Sequence, residues 1–198
     1  MIFKLPSVSE LRAKLLKLGI GVPDADSADI RVGVYGDSAE LSHELLKLIR
    51  HGHKRAGTSL LWDLGHRGER VGQVGTVEIV VDHRGEPSVV TRDLSVTVMP
   101  FAEVGAEYAA LEAEGDLSLR YWRTAHWAYF SRVCARIGRT PTEAMPVVCN
   151  VFEVLHVVPG GPDRSAHKSA LPPPTGQQRY KSWRSRHRPD RGDASPVF

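Results

Sequence analysis

A chain of 198 residues with 41% apolar content can bury one sizeable core, and about one folded domain is the expectation for that length. Two cysteines without C-x-x-C spacing exclude a disulfide scaffold and a cysteine-built zinc site, and no apolar run reaches the ~18 residues of a membrane-spanning helix. The net charge of +3 conceals an asymmetry: residues 159–198 carry eight Lys or Arg against three Asp, or +5, which leaves 18 basic and 20 acidic groups, or −2, in residues 1–158.

In chain order, Ser7-Val8-Ser9-Glu10 offers a helix capping box, because a serine oxygen and a glutamate three residues on can each satisfy an orphan backbone N–H of a first turn. Leu11, Leu15 and Leu18 supply an apolar stripe, Gly19 stops the helix, and Asp24 to Ala28 reads as a linker. Residues 1–29 are thus expected to be a helical extension. Asp37 with Glu40 predicts a second helix running to about His51, with Leu41, Leu45, Leu48 and Ile49 toward the core and Gly52 just past its end. Lys54 follows that end. A compact ammonium there either enters a cleft, where it suits an anionic phosphate oxygen, or neutralises the helix C-terminal dipole.

Beyond Lys54 the pattern turns to strands: Ser59 to Leu64, Val71 to Val81, a turn over Asp82 to Pro87, Ser88 to Met99, and finally Val147 to Val158. Helices over Val104–Ala113 and Leu119–Ile137 interrupt them, which predicts an α+β domain with a curved, largely antiparallel sheet. No G-x-x-x-x-G-K-[ST] or Rossmann pattern occurs, and no His/Cys set has zinc spacing.

The segment richest in chemistry is Glu112 to Phe130. Gly115 can end one helix and Asp116 or Ser118 can cap the next. Leu119, Trp122, His126, Phe130, Val133 and Ile137 recur at helical spacing as a buried stripe, which makes His126 a core histidine first and a catalytic one second. Arg120, Thr124, Trp127 and Ser131 share another face. There an arginine and an indole can meet phosphate and base, or Arg120 and Arg123 simply pair with Glu112 and Glu114 in solvent.

The segment from residue 159 holds seven of the 13 prolines and few apolar side chains, so it is expected to be a disordered tail. Arg179, Lys181, Arg184, Arg186 and Arg188, interleaved with Tyr180 and Trp183, suit an arm that contacts nucleic acid through phosphate and stacking. A tail without a selected partner is the alternative reading. Cys134 and Cys149 read as buried thiols in a reduced, cytoplasmic protein, and nothing suggests a leader or a membrane partner.

Gly36-Asp37-Ser38, Gly52-His53-Lys54, Pro100-Phe101, Glu112-Ala113-Glu114-Gly115-Asp116, Tyr121-Trp122-Arg123, His126, Val147-Val148-Cys149 and Phe152-Glu153-Val154 occur in that order. Together they resemble the bacterial ASCH domain family between about residues 34 and 158. The resemblance implies a PUA-like, strongly curved β-barrel with flanking helices over residues 30–158. It also implies a cleft for RNA or a nucleotide-like ligand, lined by Lys54 and the acidic loop. Some members of the family are associated with cleavage of single-stranded RNA. That chemistry needs a base, a cation and an acid around the phosphate; Lys54, Glu112 and Glu114 are the candidates for catalysis, with Arg123 or His126 assisting. Thr58, Ser59, Asp116, Arg120, Arg123 and Trp127 are the expected ligand contacts. Clustered carboxylates holding a divalent metal ion are the other arrangement the residues leave open.

Two further readings accompany this one. A short branch of the family is associated with hydrolysis of the acetamide of N4-acetylcytidine by a threonine beside a lysine and a glutamate. In this chain Gly57 stands at the expected threonine position, so Thr58 or Ser59 would serve only with a shifted register. The other reading is a sensor or interaction module whose acidic loop is a structural cap. Ala113 replaces the first glycine of the usual EGEGD loop, and Asn150 stands where a glutamate often follows Val-Val-Cys.

Overall fold

The computed structural model describes residues 5–23 and 29–160; the linker expected at Asp24 to Ala28 and the basic tail from residue 161 lie outside the described residues. Helix α1, Val8–Lys17, starts at the capping box as its sequence requires, with Glu10 N bonded to Ser7 Oγ and Ser7 N to Glu10 Oε2. It lays Leu11 and Leu15 against Val77, Ile79, Val81, Val90 and Val158, whereas Leu18, expected on the same stripe, is half exposed. Full burial of each leucine contributes about 1.5–3 kcal/mol.

Five strands follow: β1 Ile30–Gly33, β2 Ala56–Leu60, β3 Val77–Val81, β4 Pro87–Pro100 and β5 Pro146–Val157. They form one sheet in the order β1-β3-β4-β5-β2. The β1–β3 pairing is parallel and the other three are antiparallel. Register shifts at Val80/Val81, Val90/Thr91 and Asp93/Ser95 add twist, which lets long strands curl. Closure into a hydrogen-bonded barrel, expected from the resemblance, is not among these pairings, since β1 and β2 stand at opposite ends of the order.

The helices are α2 Ala39–Arg50, α3 Leu61–His66, α4 Ala106–Glu112 and α5 Leu119–Arg136. Three sequence expectations are corrected here. Ser38, not Asp37, caps α2 by accepting from Leu41 N at 3.1 Å, and Leu46 joins Leu45 and Ile49 in the core while Leu41 is exposed and Leu48 half-buried; Asp37 instead pairs with Arg132 of α5. Ser118 caps α5 by accepting from Tyr121 N at 3.0 Å, while Asp116 accepts from Ser118 N just before it. The run read as a strand over Ser59–Leu64 is a short strand that turns into α3, where Arg67 reaches back one turn to Asp63. Short apolar runs of this kind do not separate strand from helix by periodicity.

The main core packs α4 and α5 on the sheet through Leu111, Trp122, Phe130, Val133 and Cys134 against Ala56, Leu60, Val147, Cys149 and Val151. The stripe read along α5 is the buried one, with Leu119 and Ile137 packed at its edges.

Candidate functional site

Helix α2 ends in a left-handed Gly52 (φ 75°), a turn that only glycine adopts cheaply. The next residues rejoin the core, with Arg55 N bonded to Leu111 O and Lys54 N to Leu48 O. Lys54 is thereby carried inward to 1% exposure. Its ammonium lies 2.5 Å from Glu112 Oε2 and 2.7 Å from Glu114 Oε1, and 5.7 Å from the centroid of the Tyr35 ring. Both carboxylates reach it because the chain reverses between them. Ala113 takes φ 56° at the end of α4, and Gly115 and Leu117 also have positive φ.

Glu112 is 1% exposed, and its second oxygen gathers three more groups. Thr58 Oγ1 stands 2.5 Å from Glu112 Oε1, the indole Nε1 of Trp122 2.8 Å, and His126 Nε2 3.5 Å. Burial alone would push the Glu112 carboxyl up, but its contacts with Lys54 and then His126 together outweigh this and hold it well below the usual carboxylate range. Lys54 balances the same terms in reverse, so that the carboxylates lift it above its ordinary value despite burial. Tyr108 donates to Gly57 O at 2.5 Å, with its oxygen 3.2 Å from Thr58 Oγ1. Burial, then the nearby Glu112 charge, pushes the Cys149 thiol up to about 12, leaving it an inert core residue. His126 stacks on Trp122 at 4.2 Å and directs Nδ1 at Trp122 O. It is a core histidine, yet one whose other nitrogen faces the carboxylate.

Thr58 also opens onto a cavity of about 700 Å³. Residues of both edge strands line it, Arg31 and Gly33 from β1 and Gly57, Thr58 and Ser59 from β2, so the sheet curls until its edges face each other across the space. Tyr35, Glu78 of β3, Asp93 of β4 and Asn150 of β5 line it too, with Tyr35 and Asn150 lying against Gly57, and so do Arg67, Arg70 and Arg136. Burial, and then the Asp93 charge, raises Glu78 to about 7; burial raises Asp93 to about 6 although Asn150 Nδ2 donates to it at 2.9 Å. The Glu78 carboxyl lies flat on Gly33, within 2.4 Å of where a β-carbon would stand.

These raised values make a stability prediction. An unfolded chain releases the Glu78 proton near pH 4.3, the folded one near 7, so folding binds a proton between those values and stability falls as pH rises through that window. Glu78→Gln removes the effect. It should be more stable than the wild type at pH 8 by about 3 to 4 kcal/mol, given ~1.4 kcal/mol per pH unit, and indistinguishable from it near pH 4, as thermal melts across the range would show.

The structure therefore gathers Lys54, Thr58, Glu112 and Glu114, with Ser59 on the cavity wall. Asp116, Arg120, Arg123 and Trp127 do not join them. Arg120, Arg123 and Trp127 occupy the outer face of α5, where Arg123 donates to Ala102 O and Trp127 is 36% exposed. Among the described residues no group of three or more His, Cys, Asp or Glu side chains is placed to hold a metal ion, and Glu112 and Glu114 turn onto Lys54 instead. Sequence reasoning missed Tyr35, Glu78, Asp93 and Tyr108. A usable signal existed for two of them: Glu78 interrupts the apolar strand Val77–Val81 and Asp93 sits mid-strand, and a lone carboxylate in such a run has a reason to be there. No helix of the described residues is long and apolar enough to cross a membrane.

A family model described as the ASCH domain matches residues 31–156. Among solved structures, the chain is similar to an ASCH domain from Lactobacillus crispatus JV V101, with 27% identity and a TM-score of 0.65 over 77% of this chain and 97% of that one. It is also similar to a protein from Enterococcus faecalis V583, with 25% identity and a TM-score of 0.62 over 78% of this chain and 93% of that one. No curated protein is significantly similar to it.

Proposed function

The chain belongs to the ASCH domain family, and from that premise we propose that its cavity binds a nucleoside-sized, RNA-derived ligand and that Thr58 hydrolyses an amide bond on it. The observation that carries this reading is a threonine hydroxyl 2.5 Å from a buried, ion-paired carboxylate, on a strand that also lines the cavity. A volume of about 700 Å³ falls within the 300–1,000 Å³ typical of small-molecule sites.

In this reading Thr58 Oγ attacks the acyl carbon while its proton passes to Glu112. The C–N bond breaks, and the proton leaves on the departing amine. Water then cleaves the acyl ester, releasing the carboxylic acid and restoring the hydroxyl. Lys54 acts as a positioning residue that keeps Glu112 ionised and aimed; a lysine already shared by two carboxylates is poorly suited to a phosphate. The shifted register expected of a threonine at 58 is absent, so Thr58 meets Glu112 on the face of β2 opposite Gly57. β2 pairs with β5 in unbroken register, the Tyr35 ring fills the space a side chain at 57 would need, and Thr58 in that register reaches Glu112. The testing substrate is N4-acetylcytidine, with acetate release followed for the wild type and Thr58→Val. Release by the wild type that is lost in the variant supports the reading, and no release by the wild type overturns it.

The outer face of α5 favours a second reading, in which the domain also binds single-stranded RNA. Arg120 and Trp127 are exposed there, with Tyr121 beside them, and they offer phosphate and stacking contacts outside the cavity. Trp127→Ala should weaken binding of an oligoribonucleotide by about 1–3 kcal/mol per stacked base, measured by fluorescence anisotropy. Unchanged affinity would remove this face from RNA binding.

A further inference from the structure

Three exposed arginines from separate parts of the chain line the cavity: Arg67 just past α3, Arg70 in the loop that follows, and Arg136 in the last turn of α5. Asp63 fixes two of them. Its side chain is 12% exposed and gives one oxygen to each, Oδ1 to Arg136 Nη2 at 3.0 Å and Oδ2 to Arg67 Nε at 3.3 Å. Glu69 takes a second nitrogen of Arg67 at 3.1 Å. Arg70 differs from both, because its carbonyl accepts from Arg31 Nη1 at 2.7 Å while its guanidinium has no hydrogen bond or ion pair among the described residues. The backbone there is held and the cation is free. Of the carboxylates in the same lining, Asp29 pairs with Arg31 and Asp37 with Arg132, and Asp63 with Glu69 matches Arg67 with Arg136. Glu78 and Asp93 have no ion pair among the described residues, but they stand on β3 and β4 rather than on the helical side. Burial raises Glu78 to about 7, so part of its charge is absent at neutral pH.

We propose that Arg67, Arg70 and Arg136 form a clamp for a phosphate monoester carried by the ligand of the cavity. The clamp rests on the part of the preceding reading that puts a nucleoside-sized ligand there, and not on the chemistry at Thr58. A monoester brings a charge approaching two and three acceptor oxygens, and opposite an arginine cluster it gains charge-assisted hydrogen bonds. Guanidinium forks suit it, since parallel N–H groups meet two oxygens at once. A phosphodiester within an RNA chain offers a single charge and fewer free oxygens, and its flanking nucleotides would have to pass the same side chains. It uses the site incompletely. Asp63 is a positioning residue in this arrangement: it orders two guanidiniums before any ligand arrives, so less side-chain freedom is lost on binding. The ligand is then a nucleoside monophosphate, and the reaction that supplies it is one that cuts RNA and leaves the phosphate on the released nucleoside.

Isothermal titration of the full chain with cytidine, its 5′- and 3′-monophosphates and the dinucleotide cytidylyl-3′,5′-cytidine tests this without requiring turnover. The better of the two monophosphates is expected to bind at least about tenfold more tightly than cytidine or the dinucleotide, a gain of the order of one or two charge-assisted hydrogen bonds. Added salt should shrink that advantage and leave cytidine unaffected. Arg70→Gln breaks no hydrogen bond or ion pair among the described residues, and Arg136→Gln is verified as folded by its melting curve. Each should lower monophosphate affinity by about tenfold and leave cytidine affinity unchanged. A monophosphate that binds no better than cytidine, or an advantage that survives both substitutions, overturns the clamp; cytidine that still binds leaves the cavity reading standing. A dinucleotide that matches the better monophosphate overturns the monoester assignment. No binding of any of the four overturns the clamp and the cavity reading together. Phosphate preference without acetate release from N4-acetylcytidine supports the clamp and overturns only the hydrolase chemistry.

Discussion

Replacing Lys54 with methionine is expected to destabilise the fold by about 3 to 5 kcal/mol at neutral pH, the range seen when one member of a buried ion pair is removed. The lysine side chain is 1% exposed and bonds two carboxylates, so its loss leaves Glu112 charged in a dry site beside Trp122 and Thr58. The sign with pH follows from the same burial. Without the ammonium, desolvation dominates and the Glu112 value rises above that of an open chain, so the folded state prefers the protonated acid. The destabilisation should therefore shrink as pH falls below about 5. Adding Glu112→Gln to Lys54→Met should restore part of the loss, because the uncompensated charge is then gone. Urea unfolding of the three proteins at pH 7 and pH 4.5 measures all of this, and a single-mutant loss under about 1 kcal/mol at pH 7 would mean that water reaches the pair.

Under the proposed hydrolase chemistry, Thr58→Val should lower kcat by at least about 10³ and cost about 1–3 kcal/mol of stability, since it removes a hydrogen bond to the buried, charged Glu112. Glu112→Gln removes the proton acceptor but keeps a group able to accept from the Trp122 indole; its kcat should fall by about 10² to 10⁴. The two losses should not add, because hydroxyl and carboxylate act as one unit and either deletion disables it. A double variant about as slow as the slower single one is the expected result. Losses that multiply would mean that Thr58 and Glu112 act independently, and the proposed proton transfer would be wrong.

The helical parts of this molecule were legible wherever a local signal was strong. The capping box at Ser7, the glycine stop at Gly52 and the stripe from Trp122 to Val133 were read at the positions where they occur. Local rules decided those features, and local rules are what a sequence displays. The sheet was less legible. β1 is only four residues long and pairs in parallel with a strand more than forty residues away, a partnership set by the fold of everything between. The site was half legible for a related reason. Lys54 and the acidic loop announce themselves by motif, but that Thr58 bonds Glu112 depends on how β2 meets α4. Glu78 and Asp93 converge because β3 and β4 pair Glu78 with Thr91, two residues from Asp93 on the same face.

Gly33 gives the cavity a hidden adjustment. The carboxyl of Glu78 rests where a side chain at position 33 would begin, so the smallest substitution on β1, alanine, must push that carboxyl away. The backbone at Gly33 lies outside the left-handed region, so alanine fits its conformation and the obstacle is space alone. A lineage could thus redirect the polar wall of its pocket by one mutation on an edge strand, leaving Thr58, Glu112 and Lys54 untouched. The Lys54–Glu112–Thr58 cluster and the polar lining of the cavity are then separately heritable within one small fold.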